Sequence, residues 1–186
     1  MQEIDHIIQV IEQARKAIKE GDIIRIKELS NQTIHSASID QDPDNIALAV
    51  ILYSLGKIIE RTKYQDYKDW PKFEKVYTTS LNNAILALKK NDIEVYRDQI
   101  ARITDTIKKL SGNFKTYLEE IFRKASINKA SRIYEHGISL EKTAKILGVT
   151  QWELIQYVGQ TGIADVNLAY TKDIKQRLKE TELLFS

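Results

Sequence analysis

Ile46-Ala47-Leu48-Ala49-Val50-Ile51-Leu52-Tyr53 is the stretch that decides the fold class. It is apolar on every side of a helix, which is typical of a helix buried at the centre of a bundle. Asp42-Pro43-Asp44 precedes it and predicts the start of that helix, with an Asp cap, a proline in the first position and an acid in the first turn. The helix is expected to run from Pro43 to about Arg61.

The rest of the chain also predicts helices. Only 2 prolines and 7 glycines interrupt 186 residues, which favours long helices over a many-turned β fold. Apolar residues recur at steps of three and four, the spacing of one helix face; examples are Ile4, Ile7, Ile8, Ile11, Phe73, Val76, Tyr77, Ile100, Ile103, Ile107, Leu118 and Ile121. We predict an all-α fold: a bundle of about six helices over residues 1–126, a helix-turn-helix unit over 127–165 and a helical tail over 166–186.

Two short segments in the bundle repeat each other. Residues 17–23 (Ala-Ile-Lys-Glu-Gly-Asp-Ile) are echoed by residues 87–93 (Ala-Leu-Lys-Lys-Asn-Asp-Ile). Each predicts a helix end with a left-handed residue, Gly21 or Asn91, followed by an Asp cap for the next helix. Two helical hairpins with the same turn chemistry are therefore expected, whether by duplication or because these residues make good turns.

A motif stands in the last third of the chain. Ser139 can cap a short helix that ends at Leu147, and Gly148 suits the left-handed turn after it. Thr150 and Glu153 then form a capping box that opens the next helix. Two short helices separated by a glycine turn follow the plan of a helix-turn-helix unit.

Residues 138–163 resemble a family of small prokaryotic helix-turn-helix antitoxins that lie beside PIN-type toxins. The resemblance rests on the Ser139-Leu140 helix start, the Trp152-Glu153-Leu154 segment and a closing Gly162-Ile163. It implies binding to double-stranded DNA, and binding to a protein partner through the C-terminal tail, which ends in Leu183-Leu184-Phe185. Residues 1–126 lie outside the resemblance.

The second helix of such a unit enters the major groove, and its first turns read base edges. Thr150, Gln151 and Gln156 are the predicted base-reading residues, since glutamine can pair with adenine through two hydrogen bonds.

Four basic residues are predicted to hold phosphates, a contact that positions the helix without specifying sequence. They are Lys129, Arg132, Lys142 and Lys145. A solvated helix face is the alternative for each lysine. Because the net charge is only +2, useful DNA affinity is expected to need self-association.

Trp152 and Ile155 fall on positions that usually face DNA, yet both are apolar. They are either core residues of a slightly rotated helix or a partner or dimer surface. The second interpretation would make the protein a helical interaction scaffold, the alternative to a transcriptional regulator or antitoxin-like protein.

Several kinds of site are disfavoured. The chain has no cysteine, which excludes disulfides, thiolate zinc sites and cysteine nucleophiles and suggests a reducing compartment. The N-terminus lacks the basic start and apolar stretch of a signal peptide, and no run is apolar for long enough to cross a bilayer. A cytoplasmic protein with no membrane partner and no cofactor is expected.

Catalytic and metal sites are not predicted either. The acidic residues of 40–44 are spaced like the start of a calcium loop, but the glycine and the final carboxylate of that loop are missing. His35 is expected to be buried and hydrogen-bonded, with no second histidine at helical spacing to form a metal site. The bundle loosely resembles the HEPN superfamily, but neither Arg25 with His35 nor Arg132 with His136 has the spacing of its nucleases. A HEPN-like nucleic-acid-processing protein is the weaker alternative.

Overall fold

The computed structural model describes residues 4–40 and 42–161, and within them the fold is all-α, as predicted. Eight α-helices and one short 3₁₀ segment, Thr62–Asp66, make up this part of the chain, which contains no strand. The helices are α1 (Ile4–Glu20), α2 (Ile23–Asp40), α3 (Pro43–Glu60), α4 (Trp70–Lys89), α5 (Ile93–Lys108), α6 (Gly112–Glu135), α7 (Leu140–Leu147) and α8 (Gln151–Thr161). Among these helices none has the length and apolarity that a membrane span requires.

Helix α3 is the centre of the bundle, as its apolar sequence predicted. It packs against α1, α2, α5, α6 and α7, and Leu48, Ile51 and Leu55 on it are completely buried. Its start follows the expected chemistry: the Asp44 backbone N–H donates to Asp42 Oδ1 at 2.9 Å, and Pro43 stands in the first turn. Burying each large aliphatic side chain stabilises the fold by about 1.5–3 kcal/mol.

The repeated segments form two hairpins with the same turn. Gly21 and Asn91 both adopt left-handed backbone, with φ of 68° and 56°. In each turn the next residue, Asp22 or Asp92, donates its N–H to a carbonyl of the preceding helix at 2.9 Å. The Asp side chain then caps the second helix, accepting from Arg25 N–H at 2.9 Å and from Val95 N–H at 3.0 Å.

Helix α6 crosses the predicted boundary between the bundle and the helix-turn-helix unit. It runs without a break from residue 112 to 135, so the boundary expected between residues 126 and 127 falls inside a continuous helix. Buried residues of its second half pack against two neighbours. Ile133 packs with Ile34 and Ile46 of the bundle, and Ala130 packs with Leu154 of α8. The second half of α6 therefore contacts both the bundle and α8.

Helices α7 and α8 pack on α6 through two small apolar clusters. Ile146 and Leu147 of α7 lie against α2 and α3, while Leu154 and Val158 of α8 lie against α6. The predicted tail over residues 166–186, and the Gly162-Ile163 pair before it, lie outside the described residues.

Candidate functional site

The turn between α7 and α8 is fixed by glycine. Gly148 has φ of 64°, a left-handed conformation, and the Val149 N–H donates to the Ala144 carbonyl at 3.1 Å. No heavy atom would lie within 4 Å of a Cβ built on Gly148. Glycine is therefore needed here for its backbone conformation and not for space.

The predicted capping box at the start of α8 is present. The Glu153 N–H donates to Thr150 Oγ1 at 3.2 Å, and the Thr150 N–H donates to Glu153 Oε2 at 2.9 Å. The predicted cap of α7 is present too, because the Lys142 N–H donates to Ser139 Oγ at 3.3 Å. Both helix starts are thus determined by side chains close in sequence.

The carboxylate of Glu153 faces α6. Besides its capping bonds, it accepts hydrogen bonds from the Arg123 guanidinium of α6. The backbone N–H and hydroxyl of Thr150, together with Arg123, lower the pKa of Glu153 to about 2, so the group stays ionised. It is the only acidic residue of α8, and the outward face of this helix therefore carries no carboxylate.

The outward face of α8 combines amide and apolar side chains. The predicted base-reading residues Thr150, Gln151 and Gln156 are all exposed, and Gln156 also lines a cleft between α8, α6 and α3. Trp152 is 77% exposed and Ile155 is 45% exposed. The alternative of a rotated helix with these two residues in the core is therefore wrong, because Leu154 and Val158 are the residues that α8 buries.

A cleft of about 550 Å³ lies between α3, α6 and α8. Four basic residues line it, Lys57 and Arg61 on the α3 side and Arg123 and Lys124 on α6. Tyr157 of α8 is held in its wall by the Asn128 amide, which donates to the tyrosine oxygen at 2.8 Å. No sequence pattern predicted these basic residues, because α3 and α8 are far apart in sequence and nothing local indicates that they share a cleft.

Three of the predicted phosphate-binding residues are at the surface. Lys142 and Lys145 are exposed on α7. The Arg132 side chain is 53% exposed and pairs with Glu135 at 3.0 Å.

The prediction for Lys129 is wrong, since this residue is completely buried. Its ammonium donates to Asn31 Oδ1 at 2.8 Å and lies 4.4 Å from the ring centroid of Tyr53. Burial lowers the pKa of Lys129 to about 7, and the positive charge of Arg132 contributes to this shift. A lysine enclosed by α2 and α3 in this way has no surface with which to contact a phosphate.

His35 also departs from its prediction, because it is exposed and not buried. Its Nδ1 lies 3.2 Å from Nε2 of His136, which is 101 residues further along the chain. This pair joins α2 to the end of α6. Sequence spacing gave no signal for it, since the two histidines lie on different helices.

No cluster of three or more metal-binding side chains occurs in the part of the chain that the structure describes. Comparison with models of known protein families, with curated proteins and with solved structures finds no match to this chain.

Proposed function

We propose that this protein is a DNA-binding transcriptional regulator or antitoxin-like protein, and that the end of α6 with α7 and α8 acts as its helix-turn-helix unit. The observation that carries the proposal is the outward face of α8, which follows a fixed glycine turn and carries no carboxylate. A negative charge on this face would repel the phosphates that line the major groove. The protein is proposed to act in the cytoplasm of a prokaryote.

In this proposal α8 lies in the major groove. Gln151 and Gln156 read base edges, with Thr150 at the entry of the helix, because exposed amide groups can pair with adenine. Lys142 and Lys145 contact phosphates from α7. On the other side of α8 the cleft carries Arg123 and Lys124, which pair with Glu153 and Glu120, so the phosphate contacts of this proposal rest on Lys142, Lys145 and Arg132.

The proposal is tested by the salt dependence of binding. Anisotropy of a labelled random-sequence duplex is measured between about 50 mM and 200 mM salt, where each lost phosphate contact reduces the slope of log K against log salt by about 0.9. The double variant Lys142→Gln/Lys145→Gln is expected to reduce the slope by about 2.

The matched control is Lys90→Gln/Lys109→Gln. These lysines are also exposed but belong to the α4–α5 hairpin, so the slope should not change. Equal slopes for the parent and both double variants, or no binding at low salt, would contradict the proposal.

A second candidate function has its own observation. Trp152, 77% exposed next to the partly exposed Ile155, forms the kind of aromatic anchor that is common at protein interfaces. In this alternative the protein is an interaction scaffold, or a dimer joined through α8. Sedimentation of the parent and of the double variant Trp152→Gln/Ile155→Gln distinguishes the two candidate functions. A dimer that dissociates in the variant favours the scaffold. An unchanged oligomeric state with weakened DNA binding favours the regulator.

A further inference from the structure

A second cleft, of about 350 Å³, lies between α3, α5, α6 and α7. Its walls are mostly aliphatic, with Val50 and Ile51 from α3, Ile100 from α5, and Ile146 and Leu147 from α7. The volume is near the lower end of the range of about 300–1,000 Å³ that small-molecule sites occupy. A mainly apolar wall of this kind favours a small apolar occupant over water.

Tyr96 contributes a buried hydroxyl to this cleft, whose lining also includes the hydroxyls of Thr104 and Ser126. The residue lines the cleft, its side chain is completely buried, and its hydroxyl has no hydrogen-bond partner among the described residues. Burial raises the pKa of Tyr96, and the nearby carboxylates of Asp44 and Asp42 raise it further. The hydroxyl therefore stays protonated, and leaving it unpaired costs free energy. Because it is buried, it donates to an occupant only when the side chain turns toward the cleft.

The charges at the cleft are already neutralised. Arg97 donates to both carboxylate oxygens of Asp44, at 2.9 Å each. The Thr104 hydroxyl donates to the Ala101 carbonyl at 2.8 Å. Neither an acid nor an amine would find a free counter-charge here, so the chemistry favours an uncharged occupant with an oxygen that accepts from Tyr96.

We propose that this cleft binds a small uncharged molecule, either monoaromatic or short-chain aliphatic, with a carbonyl or hydroxyl oxygen that accepts a hydrogen bond from Tyr96. The molecule contacts Ile146 and Leu147, the last residues of α7 before the Gly148 turn. Its binding therefore changes the orientation of α8. The regulatory part of this inference rests on the proposed function: the molecule would be the effector of the DNA-binding unit.

Binding is tested on the full chain without DNA. The probes are two matched pairs, acetophenone with ethylbenzene and p-cresol with toluene, and affinities are measured by ligand-observed NMR titration. In each pair the oxygen-bearing compound is expected to bind more tightly by about three- to tenfold, the effect of one net hydrogen bond. In Tyr96→Phe that preference is expected to disappear, while the two hydrocarbons keep their affinity.

Two variants make the test specific. Tyr117→Phe is the matched control, because its hydroxyl is also buried but lies outside the cleft, and it should preserve the preference. Ala101→Leu adds bulk at the exposed rim of the cleft and should weaken all four probes. No saturable binding by any probe, a preference that survives Tyr96→Phe, or full binding by Ala101→Leu would overturn the proposal.

Coupling to α8 is measured through Trp152. The emission of the parent minus that of Trp152→Phe reports on α8, since Trp70, the other tryptophan, is buried in the main core. Saturation with acetophenone should shift this difference spectrum, and an unchanged spectrum would refute the regulatory part. If the protein binds the probes but no DNA, the proposed function is refuted and the small-molecule site is retained. If it binds DNA but none of the probes, the small-molecule site is refuted and the proposed function is retained.

Discussion

Lys129 is the residue at which burial and charge conflict most directly. Its ammonium is enclosed by α2, α3 and its own helix, with an amide oxygen and a ring face as its neighbours. Neither neighbour carries a full negative charge, so the protonated form is poorly compensated. The resulting pKa of about 7 is far below the ordinary value of 10.5.

This conflict predicts a pH dependence of stability. Between about pH 7 and 10.5 the unfolded chain binds more protons at Lys129 than the folded chain, so the free energy of unfolding should rise with pH across that window. Lys129→Met removes the buried charge; it should stabilise the protein at pH 7 by about 1–3 kcal/mol and flatten the rise. Urea unfolding at several pH values measures both effects.

The control for Lys129→Met is Lys124→Met on the same helix. The Lys124 side chain is 66% exposed, so the stability and its pH profile should stay as in the parent. A steep rise that persists in Lys129→Met would show that other groups cause the pH dependence.

Gly148 allows backbone conformation to be separated from packing. Gly148 and Gly159 are both exposed, and neither would bring a new Cβ within 4 Å of another group. Of these two glycines, Gly148 has a positive φ and Gly159 does not. Gly148→Ala should therefore destabilise the protein by about 1–2 kcal/mol, whereas Gly159→Ala, inside α8, should stabilise it by up to about 1 kcal/mol. Thermal unfolding of the two variants checks this, and equal effects would contradict the assignment.

At the scale of elements, the two hairpin turns are the most regular feature. The α1–α2 and α4–α5 turns share their hydrogen bonds, but one places glycine and the other asparagine in the left-handed position. Asparagine tolerates this conformation better than most residues, yet less well than glycine.

The turns therefore predict opposite effects for two exchanges. Asn91→Gly should be neutral or slightly stabilising, and Gly21→Asn should destabilise by a few tenths to about 1 kcal/mol. Chemical denaturation of both variants, with Asn91→Ala expected to lose about 1–2 kcal/mol, measures the turn preference at each site. Destabilisation by Asn91→Gly would mean that the asparagine side chain has a role beyond the turn.

These elements also show what the sequence could predict. Helix starts, turns and the capping box of Thr150 and Glu153 depend on residues within a few positions of each other, so local chemistry determines them. The burial of Lys129 and the pairing of His35 with His136 depend on which helices become neighbours. No local pattern carries that information, which is why the predicted surface role of Lys129 and the predicted burial of His35 both failed.

At the scale of the whole molecule, α6 joins the bundle to the last two helices. Its residues on both sides of position 126 are buried, with Ala125, Ala130 and Ile133 completely inaccessible. A helix continuous across a domain boundary would be expected to fray there if the two sides unfolded separately.

The continuous packing predicts uniform protection along α6. Hydrogen exchange followed by mass spectrometry should show amides of residues 127–133 exchanging as slowly as those of 116–125, because one cooperative unit covers both. Exchange of 127–133 that is faster by orders of magnitude would contradict this prediction and support the domain boundary predicted after residue 126.

The unbroken course of α6 has a geometric consequence. One continuous helix carries α7 and α8, so the direction in which α8 points is set by the bundle to which the other end of that helix is fixed. In a two-fold dimer of a DNA-binding protein, two such helices must enter successive major grooves about 34 Å apart. Under the proposed function, the distance between operator half-sites would then be determined by bundle residues that never touch a nucleotide.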